Sequence, residues 1–447
     1  MEFTTEMKMH TNNQFGIFRL ELGKTEITEA EQEINLMLDK SGSMDEFCGD
    51  GSTKMHQIKH VTNNILRFIA KNCPKGNVAV SVKAFNVDVE VVFDKTVITE
   101  DVLDELMKKV EKVYPSDGTD IGLALNAMQS STGTNRHNIF MSDGDANIGE
   151  TCPHVLAEHV DKNAVNTFVG FGLEHNPEIF MALSETKNSA YYFVDKVEKS
   201  GNAYGEILHG ILYNCLSEVR VQIVGGTLYN WKTNEWTTEI FVGNLAGEMK
   251  KTFHIKSETA EQIQITVTGV TKDMVPFSTT HLFQGQTEDL QKMIYRQRTQ
   301  EILFNANRVA NERSKIKKTK EELKTFMTEL KKYMKTKELE NDPLLKNLCD
   351  DIVVVYRTIG TRYGQMYSSS RQTSQGNERL HNVCDTPRKW SRFAWTEDDD
   401  NDDDVMDTHI VTDGLEDTPY YSGRVATLMR SVTEADAVTE DAVTEDA

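Results

Sequence analysis

Between residues 34 and 195 short apolar runs alternate with stretches of helical periodicity, and few architectures accept that rhythm. The runs at 34–39, 78–85, 89–93, 137–143, 166–172 and 190–195 have strand length, and several, such as NLML and NIFM, are apolar throughout. Such runs suit strands buried on both faces of a mostly parallel sheet. Between the first two, Met55, Ile58, Val61, Ile65 and Ile69 recur at helical spacing and make one apolar face. The expectation is an α/β domain over residues 30–205, a mostly parallel sheet flanked by helices.

The flanking texture differs. EVRVQIVGG, EWTTEIFVGNL, KKTFHIKS and EQIQITVTGV follow one another without intervening helices, which predicts a small antiparallel β-domain at 215–285. FGIFRLELG at 15–23 also alternates, so residues 1–29 are expected to return and pair with those later strands, leaving the α/β domain inserted in the β-domain. Trp231 and Trp236 flank a hairpin turn there and are expected to pack in it. Over 286–367, tracks such as Leu323, Phe326, Leu330 and Met334, and Leu345, Leu348, Ile352 and Val355, predict two or three packed helices. From Ser368 the sequence becomes SSSRQTSQGN, then EDDDNDDD at 397–404, then AVTEDAVTEDA. Low apolar content and dense like charge predict a disordered acidic tail over 368–447. A short motif at 418–432 interrupts it, where Val425, Leu428, Met429 and Val432 share a helical face suited to docking.

Composition narrows the function classes. A formal charge of −21 opposes nucleic-acid binding, which needs a net basic face; the lysine-rich stretch at 313–337 is expected to be a solvated helix face or a partner for the acidic run. The opening MEFTTEMKMHTNNQ has no basic segment followed by an apolar one, and no membrane-spanning run of about 18 apolar residues occurs. The six cysteines lack CxxC spacing and no Asn-x-Ser/Thr sequon occurs, which points to a reducing, cytoplasmic setting. The sequence carries no signal for oligomeric state. GxxxxGK[ST], HExxH and GxSxG are absent, and the twelve histidines show no metal-ligand spacing. A haloacid-dehalogenase phosphatase needs a second acid two positions after its nucleophile, where this chain has Ser41. A non-enzyme is expected.

The chemistry-bearing segment is LMLDKSGSM, an apolar strand running into Asp39-x-Ser41-x-Ser43. Taken alone, it fits a capped helix start as well as a cation site. Two later segments change the balance, Thr119 in SDGTDIGLAL and Asp143 in NIFMSDGDANIG. Together they resemble the von Willebrand factor type A family, whose metal ion-dependent adhesion site begins with Asp-x-Ser-x-Ser and adds a threonine and an aspartate from two later loops. The resemblance spans about residues 30–200, less than half of the chain. It implies that Asp39, Ser41, Ser43, Thr119 and Asp143 hold Mg²⁺, with Mn²⁺ or Ca²⁺ as alternatives, and that the ion takes a partner protein's Asp or Glu carboxylate. Loops near Phe47, Asp117 and Asn147 would then shape selectivity. Asp45, Glu46, Asp50, Asp117, Asp120 and Asp145 crowd the same loops, as solvated carboxylates or a second cation site, and Cys48 and Cys152 are expected there as free thiols.

The order of β-segment, A domain, β-segment and helices also resembles intracellular proteins in which an A domain precedes a β-plus-helix region of the Vwaint type. The function expected on these grounds is a Mg²⁺-dependent protein-interaction scaffold. Two rivals stand beside it: an adaptor subunit of an enzyme complex, such as a ubiquitin ligase or an ATPase, and a structural protein that binds through its C-terminal tail.

Overall fold

The computed structural model describes residues 2–11, 14–47, 52–73, 75–129, 135–144, 146–172, 175–194, 200–258, 262–310, 312–361 and 363–378. Cys48, Asp50, Asp145, the acidic run at 397–404 and the motif at 418–432 lie outside the described residues, as does the rest of the segment beyond Glu378.

The chain opens with β1 (Phe3–His10) and β2 (Phe15–Leu22). The α/β unit follows: β3 (Gln32–Asp39), a single 3-10 turn (Gly42–Asp45), α1 (Lys54–Asn72), β4 (Val78–Phe85), β5 (Val89–Val97), α2 (Glu100–Val110), α3 (Ile121–Met128), β6 (Arg136–Ser142), α4 (Pro153–Glu158), β7 (Val165–Phe171), α5 (Pro177–Ser184), β8 (Ser189–Val194) and α6 (Ser200–Leu212). Its sheet runs β5-β4-β3-β6-β7-β8, parallel except for β5 at one edge. Strand periodicity explains why this sheet needs helices on both sides. In β3, Ile34, Leu36 and Leu38 enter one core with α1 and α6, whereas Met37 enters the other with α3, α4 and α5. In β6, Ile139 and Met141 face the first core and Phe140 the second. A polar ladder crosses three of these strands: Asn35 Nδ2 donates to Asn138 Oδ1 at 3.0 Å, and Asn138 Nδ2 to Asn166 Oδ1 at 3.0 Å. A one-residue slip would break both bonds, so the ladder reinforces the register.

After α6 come β9 (Asn214–Val224), β10 (Thr227–Asn230), β11 (Glu235–Thr237), β12 (Glu239–Ala246), β13 (Lys250–Lys256), β14 (Gln264–Thr271), β15 (Pro276–Leu282) and β16 (Thr287–Glu288). They form two further sheets, β11-β10-β13-β2-β1-β16 and β12-β9-β14-β15. The amino-terminal β2 pairs antiparallel with β13 from Phe15↔Lys256 to Glu21↔Lys250. The inward residues of both sheets share one core that includes Phe18, Leu20, Val221, Leu245 and Ile265.

Four helices end the described chain: α7 (Gln291–Val309), α8 (Arg313–Thr336), α9 (Pro343–Thr358) and α10 (Gly364–Asn377). Leu323, Phe326, Met327, Leu330 and Met334 of α8 are buried against α7 and α9, while Lys317, Lys318 and Lys324 are exposed. No described helix is long and apolar enough to cross a membrane.

Helix α10 corrects the domain boundary read from sequence, which ended the helical region at 367 and assigned disorder from 368. Residues 368–377 are helical, and Ser368, Ser369, Arg371, Gln372, Ser374 and Gln375 are buried. The segment folds through polar satisfaction instead of apolar content. Arg371 Nη1 meets Asp351 Oδ1 and Asp350 Oδ2 at 3.1 Å each, and Gln375 Nε2 donates to Asp351 Oδ2 at 2.6 Å. The Gln375 carbonyl accepts Arg296 Nη2 at 2.8 Å.

Trp231, expected to pack within the β-domain, instead lies on α10. Gln372 Nε2 donates to its carbonyl at 3.1 Å, and a Cβ built on Gly376 would fall 2.0 Å from the Trp231 ring. Replacing a helical glycine by alanine normally helps by roughly 0.5–1 kcal/mol. Here the overlap should dominate, and Gly376→Ala is expected to lose about 1–2 kcal/mol. Urea denaturation followed by tryptophan fluorescence checks this; a stabilised variant would show that the contact yields easily.

Candidate functional site

Ligands of open parallel sheets gather beyond the carboxyl ends of the strands, and the site assembles there. Asp39 is the last residue of β3, paired with Phe85 at the end of β4. Its carboxylate organises the loop that follows: Ser41 N donates to Oδ1 at 2.7 Å, and the Ser142 hydroxyl, from the end of β6, donates to Oδ2. Ser41 Oγ lies 3.1 Å from Ser43 Oγ, and Ser43 Oγ donates to Asp143 Oδ1 at 2.8 Å. Asp39, Ser41, Thr119 and Asp143 are buried.

Backbone contacts bring in the third loop. Gly42 N donates to the Asp117 carbonyl at 2.9 Å and Ser116 N to the Lys40 carbonyl at 2.8 Å. Asp117 adopts the left-handed region at φ 62°, where aspartate is tolerated better than most non-glycine residues. Thr119 is gripped from both sides, its N–H donating to Asn147 Oδ1 at 2.8 Å and its carbonyl accepting Asn147 N at 3.1 Å. A Cβ added at Gly144 would lie 3.5 Å from Thr119 Oγ1 and 3.7 Å from Ser43 Oγ, so the two hydroxyls flank one glycine. Among the described residues the Thr119 hydroxyl makes no hydrogen bond.

Asp39, Ser41, Ser43, Thr119 and Asp143 thus meet at one rim. Of the residues expected to meet a partner, Asp117 and Asn147 are exposed beside them, with Asn147 also bracing Thr119. Phe47 is 77% exposed on the loop after Ser43, which closes through a bridge to Thr53. Among the crowding carboxylates, Asp120 has a local duty as N-cap of α3, accepting Leu123 N at 2.9 Å. Cys152 is exposed and unbonded to another cysteine.

Sequence reasoning missed three supports. Ser142 clasps Asp39, which a serine inside SDG does not announce. Asn86, just past β4, donates through Nδ2 to the Ser116 carbonyl at 3.0 Å and accepts Asp120 N at its own carbonyl, holding the Thr119 loop. Lys54, the first residue of α1, sends Nζ to Asp143 Oδ2 at 2.5 Å and to Glu46 Oε2 at 2.6 Å. A lysine opening a helix disagrees with the helix dipole, and that mismatch was the readable signal.

Burial pushes the Asp39 carboxyl up to about 6, against the bonds from Ser142 and Ser41, and the nearby Asp143 charge acts in the same direction. Burial pulls the Lys54 ammonium down, yet its bonds to Asp143 and Glu46 outweigh that and hold it above the ordinary lysine value. The rim therefore offers hard oxygen donors, two carboxylates and three hydroxyls, around a glycine cradle that a side chain would fill. That donor set suits a hard divalent cation, which takes oxygen ligands and retains some water. Among the described residues no group of three His, Cys, Asp or Glu that could hold a metal ion occurs, so the candidate donors at this rim include the three hydroxyls.

Residues 34–145 match the family model of the von Willebrand factor type A domain. No curated protein matches the chain. Among solved structures, the chain is similar to the ArnB paralog VWA2 from Sulfolobus acidocaldarius, at 10% identity and a TM-score of 0.52, over 86% of this chain and 99% of that one. It is also similar to a von Willebrand factor type A protein from Catenulispora acidiphila, at 12% identity and a TM-score of 0.51, over 84% and 96%. At such identities the likeness is one of fold, and its coverage reaches well past the α/β unit.

Proposed function

We propose that this chain, whose residues 34–145 form a von Willebrand factor type A domain, is a non-enzymatic protein-interaction module that takes a partner's acidic side chain at a divalent-cation site. The observation that carries the reading is the convergence of Ser43 and Thr119 hydroxyls about Gly144 beside the Asp39 and Asp143 carboxylates. Asp39, Ser41, Ser43, Thr119 and Asp143 would hold Mg²⁺. When bound, the ion supplies a strongly positive point that an outside carboxylate can complete, since only two of the five donors are charged. The chain's own residues do the positioning. Asp39 fixes the serine loop through Ser41 N, Asn147 fixes Thr119 through its backbone, and Gly144 leaves the space between the hydroxyls open. Asp117 and Asn147, exposed on loops that contact the site, and Phe47, exposed on the loop after Ser43, would give a partner a surface to read.

The test is direct. Calorimetric titration of the purified chain with Mn²⁺ should show one binding event, and proteins retained from native lysate in Mg²⁺ should be released by EDTA. A blank titration with the ion in excess ends the reading, and retention that EDTA leaves intact ends its interaction half.

A further inference from the structure

We propose that Lys54 is a resident cation which a divalent ion must displace, so that its ammonium sets the affinity of the rim and keeps the loops in register before the ion arrives. The inference rests on the metal reading above and concerns this chain's own side chain toward that ion.

Three observations lead to it. Lys54 stands at the amino end of α1, directly after the cap Thr53, which accepts His56 N at 3.2 Å. Helix formation gives no reason for a cation there. Its side chain is only 11% exposed, because it reaches back over the cap to a fully buried carboxylate, Asp143. Finally, with Lys54 in place both oxygens of Asp143 are engaged, Oδ1 by Ser43 and Oδ2 by the ammonium, as both oxygens of Asp39 are engaged by Ser41 and Ser142. The rim is closed on itself, and the buried Asp143 charge is already compensated.

A buried carboxylate needs a counter-charge, and two cations at one carboxylate repel. A flexible four-carbon stem lets lysine move its charge without moving the helix. Glu46 offers the destination: it already touches Nζ at 2.6 Å, and its side chain is 61% exposed. Transfer of the ammonium from Asp143 onto Glu46 alone would free Oδ2 while keeping the charge paired near solvent. Lys40, in the same loop, is a contrasting case, because its ammonium pairs with Glu90 at 2.7 Å.

The experiment is Mn²⁺ calorimetry on the full chain, on Lys54→Met and on Lys40→Met, each checked for folding by circular dichroism. Displacement predicts that Lys54→Met binds at least about tenfold tighter than wild type, roughly 1.4 kcal/mol, while Lys40→Met changes affinity less than about threefold. Unchanged or weaker binding by Lys54→Met, or equal gains in both variants, overturns the inference while leaving the metal reading standing. Absence of binding in every protein removes both. A measurement on the unaltered chain guards against a variant that fails to fold. Acetylation of Lys54, followed by mass spectrometry, should rise when Mg²⁺ saturates the chain, and constant reactivity counts against displacement.

Discussion

Asp39→Ala is expected to weaken Mn²⁺ binding by more than about a hundredfold while leaving the chain folded. Residues that merely orient metal ligands already cost about 10- to 100-fold when removed, and Asp39 combines a carboxylate with the anchor of the serine loop. Without it, Ser41 N loses its acceptor at 2.7 Å and the Ser142 hydroxyl loses its own. Two orphaned donors cost about 1–3 kcal/mol each when buried. Against that stands the cost of keeping Asp39 ionised where burial has pushed its carboxyl up to about 6, a cost the variant no longer carries. The two effects oppose each other, so the melting temperature should stay within about 8 °C of wild type, the equivalent of roughly 2 kcal/mol or less. Calorimetry and a thermal melt on the same sample check both halves. Binding within threefold of wild type would remove Asp39 from the site, and an unfolded variant would show that its role is structural.

Much of this site was legible because its signal is local. An apolar strand that ends on Asp39, and another that ends next to Asp143, must deliver those carboxylates to the same edge of a parallel sheet. The order of the strands, β4-β3-β6, then makes the loops neighbours. What could not be read were the supports that depend on tertiary contact. Ser142 and Asn86 look like ordinary polar residues until Asp39 and the Ser116 loop lie against them. The same limit explains α10. SSSRQTSQGN has the composition of a linker, and apolar periodicity carries no information about a helix whose buried face is polar. Its partners, Asp351, Arg296 and Gln300, lie 20 to 79 residues earlier in the chain. By contrast α8, with its apolar track from Leu323 to Met334, showed its buried face in the sequence.

That polar packing makes α10 the place where one substitution should do most harm. Arg371 is 1% exposed and Asp351 fully buried, and Arg371→Met is expected to destabilise the protein by about 3–5 kcal/mol, because it strands a buried carboxylate. The loss should depend on pH in a definite direction. Burial raises the Asp351 carboxyl from an ordinary 3.8 to about 6, with the Arg371 charge opposing the rise. The folded chain therefore binds that proton more tightly than the unfolded chain, and Asp351's contribution to stability falls as pH rises from about 4 to about 6. Removing Arg371 takes away the opposing charge, lifts the folded value further and extends this loss to higher pH. The deficit of Arg371→Met should consequently be largest near neutral pH and shrink toward about pH 5, where Asp351 takes up its proton. Adding Asp351→Asn should recover part of it, since a neutral amide still accepts from Gln375 and leaves no charge uncompensated. Urea denaturation of the single and double variants at both pH values measures each quantity. A deficit under about 1 kcal/mol, or one that is equal at the two pH values, would mean that Asp350 or solvent compensates Asp351 and that the helix is held by its other contacts.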